Sequence, residues 1–172
     1  AISDAPDNLT RLYLSPAHRR AAEQVRIWME EAGCAAHIDA AGNVVGRHGP
    51  TEGPVLYCGS HIDTVINAGR FDGTLGVVAA IIAVETLARS GEALPFAIEL
   101  LAFGDEENVR FPTSLSSTQA IAGFYDEGWL AVTDAEGITL AQALRDFGGD
   151  PDGIAGLARD PAQALGYLEI HI

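Results

Sequence analysis

The chain has 172 residues, 48% of them hydrophobic and only 7% aromatic, which suits one domain with a mostly aliphatic core. Its 24 acidic and 10 basic residues give a formal charge of -14, and every basic residue is an arginine; this argues against nucleic-acid binding and excludes a lysine Schiff base or a Gly-Lys-Ser/Thr phosphate loop. No apolar run nears the roughly 20 residues of a membrane span, no signal-peptide pattern opens the chain, and Cys34 and Cys58 form no CxxC pair, so a cytoplasmic protein with reduced thiols and no membrane partner is expected.

Residues 1–14 read as a loosely ordered lead-in. Ser15-Pro16 then opens a helix, serine as N-cap and proline in the first turn, with Ala22, Val25, Trp28, Met29 and Ala32 at helical spacing and Gly33 as the stop. Ala35 to Ile38 and Asn43 to Arg47 read as short strands across a turn-like Asp39–Asn43 segment. Val55 to Cys58 is a buried strand, and a helix runs within Thr74 to Ser90. Phe96 to Phe103 is almost continuously apolar, the pattern of a strand covered on both faces. Short helices are expected over Ser114–Ala122 and Thr139–Phe147 and after Asp160-Pro161, and a last alternating strand over Tyr167–Ile172. This alternation predicts an α/β fold, three layers with helices on both faces of a sheet.

Polar groups of metal-ligand type stand at the ends of the apolar runs. His61 and Asp63 follow the strand from Val55; the His-x-Asp spacing lets a carboxylate hold one ring nitrogen while the other faces a metal. Asp72 lies at a sharp turn before Gly73, where it would bridge two cations or simply cap the next helix. Glu106 and Glu107 follow the Phe96–Phe103 strand. Adjacent residues point differently, so one can bind metal while the other acts as general base on a water; as a bare charge run, Asp105-Glu106-Glu107 would be solvated surface. His171 shares a strand face with Glu169. His18, His37 and His48 lack such company and read as non-functional. Cys58 lies within its strand rather than at its end and is a poor nucleophile candidate, and there is no GxSxG elbow. Together these residues suggest a hydrolytic metal centre.

The segments Gly59-Ser-His-Ile-Asp-Thr-Val-Ile-Asn-Ala-Gly-Arg-Phe-Asp-Gly73, Asp105-Glu-Glu-Asn-Val-Arg-Phe111 and Leu168-Glu-Ile-His-Ile172 resemble the allantoate amidohydrolase and N-carbamoyl-L-amino-acid hydrolase family of the zinc aminopeptidase/aminoacylase superfamily. The resemblance runs from about Leu9 to Ile172. It implies two divalent ions, Zn²⁺ or Mn²⁺: His61 and His171 on the first, Glu107 on the second, Asp72 bridging both. It implies Glu106 as general base and Asp63 as the group orienting His61. Histidine at 171, where peptidase relatives usually carry a carboxylate, leans toward carbamoyl and ureido substrates, and Asp63-Thr-Val-Ile-Asn67 leans toward allantoate.

Two departures stand out. Asn108 occupies a position usually held by glycine, and the family's Glu-Gln-Gly after the last strand does not follow. The resemblance therefore implies that residues 1–172 are the N-terminal half of a catalytic domain. The lid and dimerisation domain, another histidine ligand and the substrate-carboxylate clamp would lie elsewhere. The expected activity of the complete protein, a homodimer through that lid, is hydrolysis of the ureido group of allantoate to ureidoglycine, ammonia and carbon dioxide. Hydrolysis of N-carbamoyl-L-amino acids or β-ureidopropionate, or a non-catalytic metal-binding half-domain, are the alternatives.

Overall fold

A computed structural model describes all 172 residues. Helix α1 spans Pro16–Glu31, and the Ser15 side chain caps it by accepting the His18 N–H. Strands β1 (Ala35–Ile38) and β2 (Val44–His48) form a hairpin, followed by β3 (Val55–His61), α2 (Thr74–Ser90) and β4 (Ala97–Phe103). Helices α3 (Ser116–Ala122) and α4 (Leu140–Phe147) come next, then 3₁₀ turns at Pro151–Leu157 and Pro161–Gln163, and finally β5 (Ala164–Glu169).

The sheet order is β1-β2-β4-β3-β5. Strands β1, β2 and β4 pair antiparallel, whereas β4, β3 and β5 run parallel. Strand β4 is central and buried at every position, Glu99 included, as its almost continuous apolarity requires. Even-numbered Ile98, Leu100 and Ala102 join Val25 and Met29 of α1 and Val77, Ile81 and Val84 of α2 in the larger core cluster. Odd-numbered Ala97, Leu101 and Phe103 face the other way with Val45, Val55, Tyr57 and Ile121. Glu99 shares that second face, where Arg159 Nε donates to it at 2.7 Å and Arg47 lies 3.6 Å away.

Two expectations need correction. The last strand lies at Ala164–Glu169, not Tyr167–Ile172, because its ladder with β3 runs from Val55 opposite Ala164 to Gly59 opposite Glu169 and ends there. The lead-in is irregular but not loose. Thr64 N–H donates to Arg11 O at 2.9 Å and Ala68 N–H to Leu9 O at 2.8 Å. Arg11 N–H donates to Thr64 Oγ1 at 2.8 Å, and Thr10, Arg11, Tyr13 and Leu14 are buried. This segment braces the loop that leaves β3.

Candidate metal centre

Three parallel strands, β3, β4 and β5, end on the same edge of the sheet, where α/β proteins place their ligands. His61 is the last residue of β3 and is completely buried. Its Nδ1 lies 3.0 Å from the backbone carbonyl of Asp63, which can only accept, so Nδ1 carries a proton and Nε2 faces the site. That Nε2 is buried and has no hydrogen-bond partner. The ring is therefore oriented chiefly by the Asp63 carbonyl, while the Asp63 carboxylate, 3.5 Å from Nδ1, has a second task. It accepts the Glu106 N–H at 3.0 Å and the Glu107 N–H at 3.0 Å. Asp63 thus ties the β3 end to the loop after β4.

Asp72 does not cap α2. The N-cap is Gly73, with no side-chain cap bond, and Asp72 Oδ1 lies 3.5 Å from His61 Nε2. Gly73 is required here: its φ is +59°, and a Cβ would sit 2.5 Å from the His61 ring. Glu106 Oε2 approaches the same nitrogen at 3.9 Å. His171 lies just beyond β5, its ring centroid 5.2 Å from that of His61, and its Nδ1 is 3.0 Å from Glu169 Oε1. Ser60 Oγ–H donates to the same oxygen at 2.8 Å.

His61, Glu106 and His171 offer ligand atoms within 4.8 Å of one another, and so do His61, Asp72 and Glu107. These residues thus meet in two overlapping trios on one imidazole, grouped otherwise than expected: Glu106, expected as the base, lies with His171, while Asp72 lies with Glu107. These donors fit a divalent cation: a buried unpartnered nitrogen faces carboxylates that repel one another. Burial lowers the His61 pKa, but Asp63 and then Glu106 outweigh it and push it up to about 9. Burial, reinforced by the charges of Asp72 and Glu106, raises that of Glu107. A cation would replace the proton on Nε2 and relieve the carboxylates.

The remaining candidates fall outside. His18 is buried in the core, stacked on Phe147; His37 is exposed on β1; His48 Nδ1 lies 3.0 Å from Gly33 O. Cys34 and Cys58 are free thiols raised by burial. Asp105, read in isolation as solvated, is fully buried; Thr113 Oγ1–H donates to it at 3.0 Å, and the Ser116 hydroxyl also binds it. Only the density of Thr and Ser over 113–117 could have signalled that.

The model of peptidase family M28 matches residues 43–135, more than half of the chain. The chain belongs to peptidase family M28. This M28 chain is 43% identical to allantoate deiminase of Arabidopsis thaliana, over 99% of its own length and 34% of the relative's. It is 42% identical to N-carbamoyl-L-amino acid amidohydrolase of Geobacillus stearothermophilus, over 95% of its length and 41% of that protein's. A hydantoinase/carbamoylase family amidase from Burkholderia ambifaria superposes with a TM-score of 0.86 at 32% identity, covering 99% of this chain and 42% of that one. The M28 chain thus spans roughly two fifths of the length of the relatives it matches. These matches bear out the resemblance carried by the three segments.

Proposed function

We propose that this chain supplies the N-terminal half of the catalytic domain of a two-metal amidohydrolase that opens the ureido group of allantoate. The observation that carries this is His61 Nε2, buried and unpartnered, on the one residue that both trios share. The 43% identity to an allantoate deiminase supports the substrate.

His61 and His171 would hold one ion and Glu107 the other, with Asp72 shared between them. The mixed nitrogen and oxygen donors suit Zn²⁺ or Mn²⁺. When bound, the ions supply Lewis acidity, polarising the ureido carbonyl and acidifying water. Glu106, half-buried beside His61, takes the proton from the attacking water and returns it to the leaving nitrogen. Asp63 holds the backbone of both glutamates and, through its carbonyl, the tautomer of His61. In a protein of the relatives' length, the remaining residues would bring the second ion's histidine, the carboxylate clamp and the contacts of a homodimer. No helix is long and apolar enough to cross a membrane, and the free thiols suit a cytoplasmic setting.

N-carbamoyl-L-amino acids are the second substrate reading, favoured by the 42% identity to the Geobacillus enzyme. Ammonia release should be measured on allantoate and on N-carbamoyl amino acids, with and without metal, using the protein with its full complement of domains. Metal-dependent turnover of allantoate is expected. Glu106→Gln should keep the metal and lose at least about 100-fold in kcat. Near-normal kcat at full metal occupancy would refute the role of Glu106, and turnover of N-carbamoyl amino acids alone would move the substrate to the second reading.

A further inference from the structure

Asn108 immediately follows the paired glutamates and has a φ of +53°, a conformation asparagine tolerates better than most residues. Its side chain reaches in two directions. Nδ2–H donates to the Glu106 carbonyl at 2.7 Å, and Oδ1 accepts the Leu115 N–H at 2.8 Å. Leu115 is itself left-handed, with φ +51°, and is the N-cap of α3 without a side-chain cap of its own. One amide thus bridges the turn carrying Glu106 and Glu107 to the start of α3. A glycine at 108 could adopt the same φ but could make neither bond.

The surrounding contacts give this bridge its leverage. Upstream, the Asp105 N–H donates to Ser117 Oγ at 3.0 Å, and the Asp105 carboxylate accepts from Thr113 and Ser116. On the opposite side, the Glu106 and Glu107 N–H groups are fixed by Asp63. Downstream, Arg110 NH1 donates to Tyr13 O at 3.0 Å and its Nε to Asp134 Oδ2 at 3.1 Å. The one contact on the Glu106 carbonyl, the far end of the peptide unit that sets the Glu107 N–H, comes from Asn108.

We infer that Asn108 is a positioning residue: its amide clamps the Glu106–Glu107 peptide against α3 and so holds both carboxylates toward His61. The inference rests on the metal-centre reading above. Outer groups that orient ligands are worth about 10- to 100-fold in metal affinity, and this one acts only through the glutamates.

The test compares Asn108→Gly, which keeps the backbone conformation and removes the amide, with Asn108→Asp, which keeps the acceptor for Leu115. Amide hydrogen exchange is followed by NMR, and Zn²⁺ binding by calorimetry. In Asn108→Gly the Leu115 and Glu107 amides should exchange at least about tenfold faster, and Zn²⁺ should bind about tenfold more weakly, with the melting temperature little changed. Asn108→Asp should restore protection at Leu115. Unchanged exchange at Leu115 and Glu107 in the glycine variant would overturn the clamp, as would fast Leu115 exchange in the aspartate variant. Unchanged Zn²⁺ affinity in Asn108→Gly, while His61→Ala abolishes binding, would overturn its link to the site. If His61→Ala and the unmutated chain bind Zn²⁺ alike, the metal reading fails, and exchange at Glu107 alone decides the clamp.

Discussion

His18 and His171 show how environment separates two histidines of equal intrinsic chemistry. His18 is sealed in the core, accepting the Leu14 N–H at Nδ1 and stacking on Phe147 at 4.8 Å. Burial, aided by the charges of Arg11, Arg19 and Arg110, lowers its pKa from 6.5 to about 3. The unfolded chain therefore binds a proton at His18 between pH 6.5 and about 3 that the folded chain refuses, and stability must fall as pH drops through that window. At about 1.4 kcal/mol for each pH unit between those two values, the loss amounts to a few kcal/mol by pH 3. Denaturant melts of His18→Gln should show a flatter decline below pH 6.5; an identical slope would mean that His18 is not the titrating group. His171 is half-exposed beside Glu169 and faces His61. His171→Ala should bind less metal than His37→Ala, whose ring is exposed on β1 away from the site. Equal metal content by elemental analysis would make His171 merely structural.

At the scale of elements, much of the architecture could be read from the residues themselves. Ser15-Pro16 marks the start of α1, and the apolar run ending at Phe103 announces a central strand. Such signals are local, carried by caps, breakers and periodicity. The misread parts depend on distant partners. The order of residues 8–14 comes from bonds to Thr64 and Ala68, and the limits of β5 come from its ladder with β3. Of the centre, the histidine and carboxylate side chains that meet there were legible at the ends of the apolar runs. The tie from Asp63 to the glutamate amides and the bridging by Asn108 were not, because backbone orientation leaves no mark in composition. One contact between elements is equally silent. A Cβ on Gly76, in the first turn of α2, would lie 2.1 Å from Ile170 O and 2.7 Å from Ser60 Cβ. Gly76→Ala should therefore push α2 away from the segment carrying His171, costing about 1–3 kcal/mol in a denaturant melt and weakening metal binding with it. A variant as stable and as metal-avid as the original would show that the segment yields without moving the site.

For the molecule as a whole, the sheet has two edges of different character. Strand β1 is covered on one face by α1 through Ala36 and Ile38. Strand β5 is exposed at every position, with Leu165, Tyr167 and Leu168 open to solvent and Ile170 and Ile172 following. An uncovered apolar edge invites pairing with another chain. The 172-residue chain should accordingly associate as its concentration rises, which sedimentation velocity would detect; a strictly monomeric species at high concentration would show that the edge is protected in solution. The same chain should release no ammonia from allantoate, since the second trio carries a single imidazole shared with the first.

The centre joins three stretches of chain that are far apart in sequence, around residues 61–72, 106–107 and 171. An ion seated there would act as a rivet, fastening the exposed outer strand to the interior through His171. Ligand binding stabilises by mass action, about 2.7 kcal/mol at a hundredfold excess over Kd, and here part of that gain would fall on the strand that has no buried residue. Chelation should accordingly loosen β5 first, read as faster amide exchange at Leu165–Leu168 before any change in β4. An ion held there would then decide whether the exposed edge stays closed to neighbouring molecules, so that its removal would be felt first as clumping.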